Sequence, residues 1–214
     1  MPQPAKAHPL NDSPSRPPDA SAERRSYWDR RADSLYLQYV FFLARVVGRD
    51  ALSVIDVGSN DCPYLEWLDW IPRKLSIDID APYSSASVEG RKGDFLDLDI
   101  GESFDLGLCL QVLEHIPDVT AFARKLLTTA PHLIVSVPYR WEPGEAGHIH
   151  DPVDEVKLAA WFGRKPNYRL VVREPFFRKR RMIAYFDREN PVRRITKAEV
   201  HQRRPSPLIA RPPG

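Results

Sequence analysis

This chain of 214 residues has no apolar run approaching the length of a membrane span. Cysteine is scarce. Cys62 and Cys109 are the only two, and neither has a metal-ligand partner at short spacing. A disulfide scaffold and a cysteine-built zinc site are thereby excluded, and a reducing compartment fits. Glycine is scarce as well: ten residues, none arranged as Gly-x-Gly-x-x-Gly. The first residues, Met1-Pro-Gln-Pro-Ala-Lys6, lack the charged-then-apolar order of a secretory signal. A cytoplasmic protein is expected.

An overall excess of one charge is also missing, because the formal net charge is only +2. The distribution is uneven. Residues 164–214 hold 15 Lys/Arg against 4 Asp/Glu, leaving 16 against 25 in residues 1–163. A basic end of this kind suits solvation first and an anionic partner second.

Six prolines and almost no large apolar groups occupy residues 1–20. Such a segment cannot bury enough surface to offset chain entropy, so a disordered tail is expected there. Residues 21–190 have the apolar content of one domain, and 191–214 read as a second, basic, disordered tail.

Within the domain, apolar residues from Leu35 to Val46 recur at three- and four-residue spacing, which predicts a helix over Glu23–Gly48. Leu52–Val57 is a short β-branched strand, followed by the turn Gly58-Ser-Asn-Asp-Cys62. Pro63 suits the first turn of a short helix through Leu68. Lys74–Ile79, a weak segment near Val88, Asp105–Leu110 and His132–Val137 read as four more strands. Val119–Leu127 is a helix between the last two of these. Pro152–Phe162 is another, with Asp151 as its N-cap. Tyr168–Val172 and Arg181–Phe186 form a close strand pair, which suggests an antiparallel edge. The fold expected is α/β: a Rossmann-like, mostly parallel seven-stranded sheet with helices on both faces.

Several of these strands end on small or acidic residues: Ser53-Val-Ile-Asp-Val-Gly58, Leu75-Ser-Ile-Asp78, Gly93-Asp94-Phe95 and Leu110-Gln-Val-Leu-Glu-His-Ile-Pro-Asp118. An open α/β sheet binds its ligand at that edge. Order and spacing resemble the class I S-adenosylmethionine-dependent methyltransferases, roughly from Tyr27 to Phe186. The small-molecule enzymes of ubiquinone-biosynthesis type, and those of saccharide and glycolipid pathways, are the nearer likeness. The resemblance implies S-adenosylmethionine as cofactor. Gly58 would allow close backbone approach, and Asp78 would accept the ribose hydroxyls. Asp56 would orient the turn or hold the ammonium through water. Asp94 and Phe95 would meet the adenine, and Leu110 and Gln111 would offer carbonyls to the ammonium. Asn60 and Cys62 stand where the family pattern has two further glycines. A dinucleotide enzyme would need a phosphate cradle here, yet Asp61 occupies that place.

On the acceptor side stand His115, beside Glu114, and the loop Gly147-His-Ile-His-Asp151. In an extended stretch His148 and His150 face the same way. These three histidines are the candidate bases. No metal is assigned, although the spacing would admit one with Asp151 or Asp154 as carboxylate ligand. Tyr139, Arg140 and Trp141 would stack on substrate or pack as a lid. The expectation is O-methylation of a small molecule or saccharide, with no membrane span and nucleic acid not favoured. The alternatives are a methyltransferase docked on RNA or protein by the basic end, or a non-catalytic relative.

Overall fold

The computed structural model describes residues 24, 27–175 and 179–203. The expected tail at 1–20 lies outside the described residues, as does 204–214. Seven strands form one sheet in the order β3-β2-β1-β4-β5-β7-β6. They are β1 Ser53–Val57, β2 Arg73–Asp78, β3 Glu89–Lys92, β4 Leu106–Leu110, β5 His132–Pro138, β6 Tyr168–Arg173 and β7 Arg180–Asp187. The first five run parallel to one another. β7 runs antiparallel to both β5 and β6, so the antiparallel element lies one strand in and β6 is outermost.

Side chains alternate between two cores, as the pleat requires. Ile55, Val57, Leu133, Val135, Met182 and Ala184 face one side, where α2 (Val119–Thr129) and α3 (Glu155–Phe162) pack. Val54, Leu106, Leu108, Ile134 and Ile183 face the other, under α1 (Leu35–Val47) and the 3₁₀ turn Pro63–Trp67. Both faces of β1, β2, β4 and β5 are buried, which explains their largely apolar composition, whereas β3 at the edge is not. Each fully buried aliphatic side chain contributes about 1.5–3 kcal/mol. The sheet reverses direction between β1, which is followed by β2 on one side, and β4 on the other. That switch point opens a crevice at the carboxyl ends of the strands.

Four local expectations are corrected. The helix read over Glu23–Gly48 is interrupted, and α1 begins at Leu35 after an extended Ser34. Its first amides are capped from afar: Glu174 Oε2 accepts from Leu35 N–H and Oε1 from Tyr36 N–H, each at 3.1 Å. The third strand is Glu89–Lys92, just past the buried Val88. α3 starts at Glu155 with Asp154, not Asp151, as N-cap, its carboxylate taking the amides of Val156 and Lys157. Finally, the segment read as a tail from 191 contains α4, Lys197–Arg203. Arg193 anchors it, bridging Asp187 at 3.2 Å and Glu199 at 2.6 Å. Some of the basic residues of this region have carboxylate partners, including Arg181 with Glu174 and Arg203 with Asp50.

Candidate functional site

The turn after β1 is left-handed at three positions: Gly58 (φ +85°), Asn60 (+46°) and Asp61 (+58°). Asparagine and aspartate tolerate this conformation better than other side-chain residues. The glycine-poor sequence therefore still makes a tight turn. Gly58 is required by packing as well as by φ, because a Cβ there would stand 2.3 Å from Val112 Cγ2.

Asp78 ends β2 beside this turn and holds it. Its Oδ2 accepts from Asn60 N–H at 2.8 Å, and its Oδ1 accepts from Asp80 and Ala81 N–H at 2.9 Å each. One lone pair on Oδ2 remains for a ligand. Below it, Ser76 and Ser59 share a buried hydrogen bond of 2.8 Å, and both hydroxyls accept from Tyr83 N–H. No local pattern marks this serine pair, whose members meet only once β1 and β2 are paired.

Asp56 differs from Asp78. It is 4% exposed, and no donor reaches its carboxylate among the described residues. Burial, and then the nearby charge of Asp78, push its pKa up to about 7. Burial, with Asp56 adding to it, likewise raises the Cys62 thiol to about 12. A cationic ligand group at the crevice would satisfy Asp56.

Asp94 follows β3 and forms a local turn, its Oδ1 accepting from Leu96 N–H at 2.8 Å. The Phe95 ring is a core group: it is 3% exposed and packs on Phe122 at 5.0 Å between centroids. Only the Phe95 backbone is left to meet a ligand. At the end of β4, Gln111 is left-handed (φ +58°), a state uncommon for a side-chain residue and frequent at binding sites. Its amide is clamped, Nε2 donating to Ser136 Oγ at 3.1 Å and Oε1 accepting from Arg181 Nε at 3.1 Å. Arg181 also lies over the rings of Tyr36 and Trp141, at 4.5 and 5.5 Å from their centroids. An arginine at the head of β7, just before its apolar run, was the available sign of this role.

The acceptor-side residues divide. The 3₁₀ turn Leu113–His115 follows β4, and the loop after β5 folds back on it. His115 Nδ1 donates to Gly147 carbonyl at 2.9 Å. His148 Nδ1 lies 2.6 Å from Asp151 Oδ2. The two rings meet edge to face at 4.8 Å, and Trp141 stacks on His148 at 5.6 Å. With both Nδ1 atoms engaged as donors, neutral rings carry their lone pairs on Nε2. Glu114 is the third member. It is 1% exposed, and burial, with the charge of Asp151 adding to it, pushes its pKa up to about 8 against the lowering influence first of its own backbone amide and then of Arg181.

His150 is not part of this group, since its Nε2 donates to Ile116 carbonyl at 2.8 Å and its ring lies on Trp161. Asp154 is spent on the α3 cap. Tyr139 is buried, with its hydroxyl bonded to Glu155, and Trp141 donates to Arg180 carbonyl. These aromatics pack the loop in place.

No family model and no curated protein matches this sequence. Solved structures do match the fold. The N1-methyltransferase of 1,6-didemethyltoxoflavin from Burkholderia thailandensis, with its substrate and S-adenosylhomocysteine bound, superposes with TM-score 0.61 at 18% identity, covering 77% of this chain and 83% of that one. The N-methyltransferase NodS of Bradyrhizobium japonicum with S-adenosylhomocysteine gives 0.60 at 14%, covering 78% and 98%. An O-methyltransferase of Nostoc punctiforme, so described provisionally, gives 0.56 at 16%, covering 78% and 59%. This chain has the class I methyltransferase fold. No helix among the described residues is long and apolar enough to cross a membrane.

Proposed function

We propose that this chain is an S-adenosylmethionine-dependent methyltransferase acting on a hydroxyl of a small molecule or saccharide. The observation that carries the reading is Asp56. A largely buried carboxylate that takes no protein donor among the described residues and reaches solvent at the switch point of this fold suits a cationic ligand. The cofactor's ammonium meets that need, and its ribose suits the remaining lone pair of Asp78. The Phe95 backbone and Asp94 border the place left for adenine, and Leu110 and Gln111 line the approach from β4.

When bound, S-adenosylmethionine supplies a methyl group on a sulfonium, primed for in-line displacement. The protein's work is alignment and proton handling. With the cofactor bound, the acceptor oxygen would take the methyl group while the carbon–sulfur bonding pair stayed on sulfur, and the His115–His148 cluster would take the hydroxyl proton. An amine with a free lone pair needs no such loss before attack, whereas a hydroxyl does. The pairing of His115 and His148 beyond β4 therefore favours oxygen. Ion pairing of Arg181, Arg193 and Arg203 with carboxylates favours a compact acceptor over a polyanion.

Calorimetry with S-adenosylmethionine tests the reading. Micromolar binding that is strongly weakened in Asp56→Asn supports it. Absence of binding at millimolar cofactor would refute it.

A further inference from the structure

We propose that Glu114, His115 and His148 form a binding site for a divalent transition-metal cation. One donor atom from each residue lies within 4.8 Å of the others. Two imidazoles and a carboxylate are a donor set suited to zinc, manganese, iron(II) or cobalt(II) rather than to magnesium or calcium. The second observation is independent of that spacing. Glu114 Oε2 is buried with no hydrogen-bond partner among the described residues, and so is Asp151 Oδ1. Two buried carboxylate oxygens lacking donors, one on Glu114 and one on the Asp151 that holds His148, are costly unless a nearby cation offsets them.

The surroundings are arranged as metal sites are. Ligating histidines ordinarily donate their other ring nitrogen to a carboxylate or a carbonyl, which fixes tautomer and orientation. His148 does so to Asp151 at 2.6 Å and His115 to Gly147 at 2.9 Å. Each Nε2 thereby keeps a free lone pair for a cation. A cation about 2.0–2.2 Å from its ligands needs the donors somewhat closer together than they stand, and the exposed His115 ring can rotate to close the gap. Three protein ligands leave open positions, as catalytic rather than structural sites do.

The role of the cation rests on the methyltransferase reading. An acceptor oxygen placed on an open position would be held beside the methyl donor and made more acidic. The cation, not a free imidazole, would then promote loss of the hydroxyl proton.

The test separates the two ideas by measuring the cation without the cofactor. The full chain, stripped with EDTA, is titrated with Mn²⁺, Zn²⁺ and Co²⁺ by calorimetry, and Co²⁺ loading is followed by its visible absorption. One equivalent should bind, with a ligand-field band that disappears in His148→Ala. Asp151→Asn should weaken binding by about 10–100-fold, as loss of an orienting partner does. His115→Gln, on an exposed side chain, guards against a fold defect and should lose affinity with an unchanged melting temperature. No stoichiometric binding of any of the three ions, or equal binding in all three variants, overturns the proposal. Cation binding without S-adenosylmethionine binding would refute the methyltransferase reading and leave this site standing.

Discussion

Glu174, at the end of β6, caps the first turn of α1, to which it is joined by hydrogen bonds spanning 138 and 139 residues of sequence. Helix N-termini leave amides without partners, and a side-chain acceptor satisfies them. Here one carboxylate serves two amides from the opposite end of the chain, and its charge also suits the positive end of the helix. It thereby ties α1 to the outer strands.

Removing that carboxylate tests the tie. Glu174→Ala leaves Leu35 and Tyr36 amides unmatched, and leaves Arg181, 3.7 Å away, without its ion partner. A loss of about 1–3 kcal/mol is expected, the range for stranding buried polar groups. Urea denaturation measures it. A change within about 0.5 kcal/mol, as at an ordinary surface site, would show that the cap is replaced by water.

A second prediction concerns Asp78. Because it supports the turn through Asn60, Asp80 and Ala81, Asp78→Ala should lower the melting temperature as well as cofactor affinity. Asp78→Asn separates the two effects. It keeps an oxygen for Asp80 and Ala81 but has no second acceptor for Asn60 and the ribose. Its stability should fall less than that of the alanine variant, while affinity falls by about 2–3 kcal/mol. Unchanged affinity in Asp78→Asn would remove Asp78 from the ligand site.

The strand ends could be read from the sequence because each is marked chemically. A β-branched run stopping at Gly58 or Asp78 leaves few ways to arrange a parallel sheet. β3 could not be read so well: Glu-Gly-Arg-Lys has no apolar alternation, and its place is set by pairing with β2. The break before α1 was hidden for another reason. No proline or glycine in residues 29–34 marks a stop, and the helix start depends on Glu174. Phe95 was legible as an aromatic near the site, but its ring direction depends on Phe122. The histidines show the same limit. His148 and His150 share a sequence pattern, and only the fold of the loop assigns one to His115 and the other to the Ile116 carbonyl. Local chemistry marks the elements, and contacts distant in sequence decide which side chains converge.

Gly58 offers a packing test of the turn. Gly58→Ala must place its Cβ against Val112 and hold φ at +85°. Strain in the left-handed region costs about 1–2 kcal/mol, and overpacking adds about 1–3 kcal/mol. Val112→Ala alone removes part of a half-buried side chain. In the double variant it should recover the overpacking part and leave the strain. A double-mutant cycle on thermal unfolding reads the coupling. Simple additivity would mean that the Val112 contact is relieved by movement of the turn.

The last prediction follows from the raised pKa of Asp56. Its folded value, about 7, lies above the ordinary carboxylate value of 3.8, so the native state holds this proton more tightly than the unfolded chain does. Its burial therefore costs nothing below about pH 4. The cost grows as pH rises and is complete above about pH 7, so this group makes the free protein less stable across that window. A cationic ligand group reverses the preference, because it favours the ionised carboxylate. At pH 6 free Asp56 is mostly protonated, and binding an ammonium there should expel the proton. Calorimetry of S-adenosylmethionine binding in two buffers of different ionisation enthalpy should show close to one proton released at pH 6, with far less released at pH 8. Asp56→Asn has no proton to lose at this position, so its apparent enthalpy should not depend on the buffer. Equal proton release in the wild type and the variant would assign the linked group elsewhere and detach the ammonium from Asp56.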